Sequence, residues 1–363
     1  MLKPGPEGTV YLIGENKFDG APTNHYKLGI IRDSERGRTV DQRCDEHRTG
    51  NPNPLEVVHT TRTAMVDQVE TLAHGVHAQY RVNGEWFHFS PPHLEGVIEF
   101  VESAAQSALR ALAKVTRAND LANELSDGSI VAPSADTHEL HQDLRLTKAM
   151  ITACKSAQAH LTEQLLLAQE KEQPKDNWVT TTPKAGRVTF DEKTFATTHP
   201  RIHARYVSSC GRVSKSFKIA TTSMDEIEAR KHWTELSSHL DHVLSLRASK
   251  SSGDGLHAAY LATLAHETAL RWQYELGEAE LRCKCGLHDE IVGVCSWTRK
   301  TNLRTSFDLT RFRAEREDLF AKFVKFGEPT TEHRVRRTSK PFLIPADHSP
   351  VTNYFSSRQR NSR

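Results

Sequence analysis

Five short stretches decide the reading of this chain: Gly8-Thr-Val-Tyr-Leu-Ile13, Tyr26-Lys-Leu-Gly29, Asp41-Gln-Arg-Cys-Asp-Glu-His-Arg-Thr-Gly-Asn-Pro52, Val69-Glu-Thr-Leu-Ala-His74 and Gly84-Glu-Trp-Phe87. Val10–Ile13 is an apolar run after Gly8, which reads as a strand carrying Tyr11. Gly14, Gly20, Pro22 and Asn24 mark a loop, and Tyr26–Ile31 is a second strand. Strands this close in sequence are expected to pair as an antiparallel hairpin. With Tyr11 and Tyr26 on one face, two phenols would point to one place. Asp41–Arg48 follows a candidate N-cap, Thr39, and stops before Gly50 and Pro52. On that helix Arg43 and His47 are four apart and share a face. Leu55–Thr60 reads as a third strand and Val66–Tyr80 as a helix. Glu70, His74 and His77 lie on one side of this helix. Glu85–Ser90 alternates like an edge strand. The expected order is β-β-α-β-α-β.

Such a unit gathers tyrosines, an arginine and a carboxylate. Phosphodiester hydrolysis needs a base for water, a cation for the phosphate charge and a carboxylate for a divalent metal. A phenol titrates near ~10 and serves as a base only where a cation stabilises the phenolate.

Taken together and in this order, the five motifs resemble the GIY-YIG nuclease superfamily. Within it they look most like the phage-associated branch typified by meiotically up-regulated gene products. The resemblance spans residues 8–90. It implies that Tyr11 and Tyr26 are the two motif tyrosines, that Arg43 is the phosphate-binding arginine, and that Glu70 is the metal-binding glutamate. It further implies catalytic roles for His47 and His74, and Mg²⁺ or Mn²⁺ as cofactor. The chain departs from the pattern at Thr-Val-Tyr in the first motif and at Tyr-Lys-Leu-Gly in the second. Glu85 stands where this branch usually has asparagine, and Asn83 is the nearest candidate for that asparagine. Each residue also has a plainer reading. A strand tyrosine is usually half-buried packing, a lone helix arginine is usually a surface charge, and a Glu–His pair at i,i+4 is a helix-surface contact. Zinc held by Glu70, His74 and His77 would lack a fourth ligand.

The 363 residues are enough for two or three domains. With 48 basic against 46 acidic residues the net charge is +2, so any partner is recognised locally rather than by the whole chain. The six cysteines show no disulfide framework, and neither a signal peptide nor a membrane span is visible. A cytoplasmic setting, bacterial or in a phage-infected host, is the expectation.

Beyond Pro91-Pro92, apolar residues from Leu94 to Val115 recur at helical spacing, and a second long helix is expected over 136–173. The two are expected to pair as an antiparallel or coiled-coil hairpin, or to make a dimer seam. Residues 177–222 read as short strands with a turn at Cys210-Gly211, punctuated by Arg201, Arg205, Arg212, Lys215 and Lys218. A basic hairpin there would suit phosphates. Helices are expected over 225–246 and 257–280. Cys283, Cys285, His288 and Cys295 invite a zinc reading, but their spacing matches no common finger. Residues 286–320 resemble the tail of phage YqaJ-type recombination exonucleases, without implying a catalytic residue. From Arg334 onward seven Lys/Arg face one Asp, a local charge of +6.

The expected architecture is α+β. A GIY-YIG-like unit (1–92) is followed by a long helical pair (93–175), a mixed, mainly helical region (176–329) and a basic flexible tail (330–363). The expected function is a metal-dependent endonuclease acting on DNA, with RNA as a second candidate substrate, Tyr as base, Arg as phosphate stabiliser and Glu as metal ligand. The rivals are a non-cleaving nucleic-acid binder and a helical assembly protein.

Overall fold

The computed structural model describes residues 2–35, 37–174, 177–214, 216–221 and 234–338. β1 (Gly8–Asn16) and β2 (Pro22–Arg32) form the expected antiparallel hairpin. α1 (Val40–Arg48) follows, then β3 (Leu55–Thr63) on the other side of β1, and then α2 (Val66–Val76). β4 (Arg81–Asn83) and β5 (Trp86–His88) complete a sheet of order β3-β1-β2-β5-β4, antiparallel throughout. Two expectations need correction here. The helix read over 66–80 ends at Val76, and Ala78–Tyr80 is a single tighter turn. The segment from Glu85 is not the edge, because Gly84 (φ 53) turns the chain into a hairpin that puts β5 inside and β4 outside.

One face of the sheet is apolar. Val10, Leu12, Tyr26 and Leu28 pack there against Val66, Val69, Leu72 and Ala73 of α2, and against Phe100 and Val101 of α3 (Pro91–Leu121). β6 (Ile130–Val131) leads to α4 (Ala135–Glu172). Then come β7 (Val179–Lys184), β8 (Val188–Phe190), α5 (Glu192–Thr198), α6 (Pro200–His203), β9 (Val207–Val213) and β10 (Lys218–Ile219). α7 (Thr234–Ser245) and α8 (Gly253–Cys285) precede β11 (Glu290–Ile291), β12 (Cys295–Ser296) and β13 (Thr301–Phe307). α9 (Leu309–Glu315), α10 (Glu317–Lys322), β14 (Val324–Phe326) and β15 (Thr330–Val335) close the described part.

The first two long helices are not each other's main partner. α4 lies along α8, and α3 and α2 pack on α8 as well. With 33 residues α8 is about 50 Å long. One side of α8 gives Ala265, Ala269, Trp272 and Ala279 to the core that includes the sheet. Another side gives Leu256 and Leu270 to a second core with Cys154, Leu161 and Leu165 of α4. Small residues let the elements approach closely. A Cβ on Gly75 of α2 would lie 2.7 Å from the Thr268 methyl.

Cys210-Gly211 is not a turn. It lies inside β9, which pairs with the distant β13, so the expected basic hairpin does not form. Residues 330–335, expected as the start of a flexible tail, pair with β7 as β15. Lys215, residues 225–233 of the expected helix and residues 339–363 of the tail lie outside the described residues.

Because the sheet and α8 share one core, they should unfold together. Trp272→Ala removes a buried indole at their junction and should cost about 3–5 kcal/mol. Calorimetry should show one transition moving down. A sheet unit that melts separately, unaffected by the substitution, would contradict the shared core.

Candidate active site

Cross-strand pairing fixes what faces what. In β1 and β2, Tyr11 is opposite Gly29 and Ile13 is opposite Lys27. Opposed residues project to the same face and neighbours alternate. Tyr11, Ile13, Lys27 and Ile31 therefore share the face that α1 covers, where Cys44 and Leu55 complete a small core. Tyr26 pairs with Gly14, is buried on the opposite face and stacks on Phe89 at 6.0 Å. The expectation that Tyr11 and Tyr26 converge is thus corrected. In Tyr26-Lys-Leu-Gly29 the residue two before the glycine is Lys27, so the ammonium stands where a second phenol was expected.

Gly29 has a steric role. The Tyr11 ring lies across the β2 backbone there, and a Cβ on Gly29 would sit 2.5 Å from the phenol oxygen. Tyr11 is almost fully buried. Burial pushes its pKa up, and the charge of the nearby Arg43 guanidinium opposes this.

α1 begins as expected. Thr39 Oγ1 accepts from the Gln42 amide (3.2 Å) and Gln42 Oε1 accepts from the Thr39 amide (3.0 Å), a reciprocal cap. This sets the helix so that Arg43 and His47 reach the Tyr11 face. Arg43 also pairs with Glu46 at 2.7 Å. Arg48 donates to the Leu55 carbonyl (2.6 Å), and Asn51 donates to Glu15 (3.0 Å). Arg48 and Asn51 thus tie α1 and the turn after it to the ends of β3 and β1. His47 Nε2 is buried without a hydrogen-bond partner. Burial, with Lys27 and Arg43 nearby, holds the His47 pKa below its ordinary value, so the ring is neutral at neutral pH.

Lys27 is buried and bonds Glu85 at 2.5 Å. Burial would raise the Glu85 carboxyl, but the Lys27 ammonium overrides it and holds the pKa low. Sequence reasoning did not place Lys27 in the site and treated Glu85 only as a departure. Strand alternation counted back from Gly29 would have found Lys27. Asn83 lies exposed on the β4 edge.

Glu70 of α2 senses Glu85, Arg32 and Lys27. Burial and then the Glu85 charge push its carboxyl up to about 7. His74 sits one turn on. Its Nε2–H donates to the Leu28 carbonyl (3.1 Å), and its ring meets Phe87 edge-on at 5.3 Å. It thereby satisfies a β2 carbonyl just beyond the residues paired with β5. His77 is buried among Tyr80, Phe89 and Phe100, with its pKa driven down to about 3 by burial, so it does not join Glu70 and His74 at an exposed ligand face. Among the described residues no group of three or more His, Cys, Asp or Glu is arranged to hold a metal. Cys283 donates to the Lys114 carbonyl, Cys285 and Cys295 lie together in a core around Trp297, and His288 bonds Ser129. These four side chains do not meet around one point.

The site therefore combines two cations (Lys27, Arg43), two carboxylates (Glu70, Glu85), a neutral imidazole with a free nitrogen (His47) and a buried phenol (Tyr11). Glu70 has no hydrogen-bond or ion-pair partner among the described residues, and burial, with the Glu85 charge beside it, makes its ionised form costly. A single carboxylate, with the remaining positions left to water and phosphate oxygens, suits Mg²⁺.

Residues 8–105 match the T5orf172 domain, which is associated with the GIY-YIG nuclease-like superfamily and with phage proteins. The match covers the five-stranded sheet, α1, α2 and the first half of α3. No curated protein and no solved structure matches the chain. No helix among the described residues is long and apolar enough to cross a membrane.

A carboxyl whose pKa is higher folded than unfolded binds more protons in the folded state. Its contribution to stability is present below about 4.5 and is lost as pH rises towards about 7. Glu70→Gln should therefore stabilise the protein at pH 8, by on the order of 1 kcal/mol after solvent screening, and hardly at pH 4.5. Mg²⁺ or Mn²⁺ should raise the melting temperature of the wild type at pH 8 but not that of Glu70→Gln. An equal shift in both proteins would remove Glu70 as the metal ligand.

Proposed function

We propose that this chain is a metal-dependent endonuclease that hydrolyses phosphodiester bonds in DNA. The observation that carries the reading is the gathering of Arg43, Lys27, His47 and Tyr11 on one face of a sheet whose residues match a nuclease-like domain, with Glu70 of α2, on the other face, within electrostatic reach of Tyr11 and Lys27. Arg43 binds the scissile phosphate through its planar fork and neutralises the charge that grows in the transition state. Lys27, held by Glu85, adds a second positive charge. Glu70 and water would hold a divalent cation, which supplies Lewis-acid stabilisation of the phosphate.

The proton from the attacking water is assigned to His47. Its neutral ring and unpartnered Nε2 are ready to accept, whereas the Tyr11 phenol is held protonated by burial. Tyr11 lies within electrostatic reach of the Arg43 guanidinium, and its O–H would orient the water. His74 is a positioning residue, since its Nε2–H is committed to the Leu28 carbonyl.

The test is cleavage of plasmid and linear duplex DNA with Mg²⁺ or Mn²⁺, with and without EDTA. Arg43→Ala should lower turnover by about 10²–10³ while changing affinity little, because removing one preorganised donor acts mainly on the transition state. Lysine at this position should restore little. A second reading is a non-cleaving nucleic-acid binder, favoured by the departure of the second motif, whose tyrosine, Tyr26, is packed on the apolar face. Wild-type protein that cuts neither DNA nor RNA with any divalent metal, while Arg43→Ala loses binding, would select that reading.

A further inference from the structure

Residues 187–207 align without a gap on residues 304–324. Arg187, Phe190, Asp191, Phe195, Ala204 and Val207 recur as Arg304, Phe307, Asp308, Phe312, Ala321 and Val324, an offset of 117. Ile202, Arg205 and Tyr206 recur conservatively as Leu319, Lys322 and Phe323.

The folds repeat as well. Each copy runs strand, helix, short helix, strand: β8-α5-α6-β9 and β13-α9-α10-β14. Asp191 caps α5 by accepting from the Thr194 amide (3.1 Å), and Asp308 caps α9 by accepting from the Arg311 amide (2.9 Å). The strands are exchanged between the copies, since Phe190 pairs with Val324 and Phe307 with Val207. The Asp191 amide donates to the Phe323 carbonyl and the Asp308 amide donates to the Tyr206 carbonyl, each at 2.8 Å. Phe190 stacks on Phe320, and Phe307 stacks on His203, the aligned position. Every one of these interactions maps onto its partner under the same offset. The two copies are therefore related by a local two-fold around one shared aromatic core.

Surface positions have diverged between the copies: Arg201 aligns with Asp318, Lys193 with Thr310 and Glu192 with Leu309. Against that divergence, Arg205 and Lys322 keep a cation in both. Both are exposed, and neither side chain makes a hydrogen bond or ion pair among the described residues. Packing and internal pairing therefore do not account for the retained charge. Points related by a two-fold lie at one height along its axis, so one ligand approaching along the axis meets both. The backbones of a nucleic-acid duplex are themselves related by dyads, and proteins with two-fold symmetry exploit this. A single strand has no such symmetry.

We infer that residues 187–207 and 304–324 are a duplicated, two-fold module that binds the phosphate backbone of duplex DNA through Arg205 and Lys322, one on each strand. The choice of nucleic acid as ligand rests on the nuclease reading above. The module lies outside the 8–105 match and supplies grip rather than chemistry.

The experiment is anisotropy of a labelled blunt DNA duplex bound to the full chain in EDTA, across a salt series. Arg205→Ala and Lys322→Ala should each weaken binding by a similar factor, about 3–10-fold. Each should also lower the slope of log K against log salt by about 0.9, and the double variant by about twice that. Arg205→Lys should keep the wild-type slope, which separates lost charge from lost folding. Unchanged binding in either single variant, or a loss in one alone, overturns the module. If that happens while the wild type still cuts DNA with metal, the nuclease reading stands without it. If the wild type cuts nothing but both variants lose binding equally, the module stands and the nuclease reading falls.

Discussion

The Tyr11 phenol lies across the β2 backbone at Gly29, and much else in the molecule follows from that contact. It fixes the register of the first hairpin, since a Cβ at position 29 would collide with the ring. Register decides faces, because a slip of one residue exchanges every side chain between them. With Tyr11 opposite Gly29, Val10, Leu12, Tyr26 and Leu28 go to the apolar face under α2 and α3. Tyr11 and Lys27 go to the face where α1 brings Arg43 and His47. One steric contact thus separates the packing face from the chemical face.

The packing face is not self-sufficient. Its core continues into α3 and α8 through Phe100, Ala265, Ala269 and Trp272. α8 in turn supports α4 on another side, so the small sheet is braced by a helix drawn from the far half of the chain. That bracing matters for the site, because α2 carries Glu70 on one side and closes against α8 on another. Cross-strand pairing and helix packing together hold a carboxylate in a place that burial and Glu85 make costly for its charge. Such a group gains stability from a cation, and a divalent metal bound beside a phosphate is one.

Much of this was legible in the sequence. The hairpin, the Thr39 cap, the third strand and α2 follow from period, punctuation and capping chemistry, and the α+β class follows from their order. Three things were not legible. The face of Tyr26 depends on pairing with Gly14, which alternation settles only once Gly29 is taken as the fixed point. The Lys27–Glu85 pair joins residues 58 apart across β2 and β5, and local pattern carries no trace of it. The partner of each long helix was also hidden, because an apolar stripe shows that a face is buried without naming what covers it. The duplication of 187–207 in 304–324 was readable from residue identities alone, but its meaning needed the exchanged strands.

The central claim is that strand register puts Lys27, and not Tyr26, on the face of Tyr11 and Arg43, where the proposed cleavage site lies. Metal-dependent cleavage by Lys27→Met and Tyr26→Phe tests this most directly. Lys27→Met should lose activity by orders of magnitude while the protein stays folded, and Tyr26→Phe should cut at close to the wild-type rate. A Tyr26→Phe protein that is inactive though folded, beside an active Lys27→Met, would contradict the assignment of faces and the site built on it.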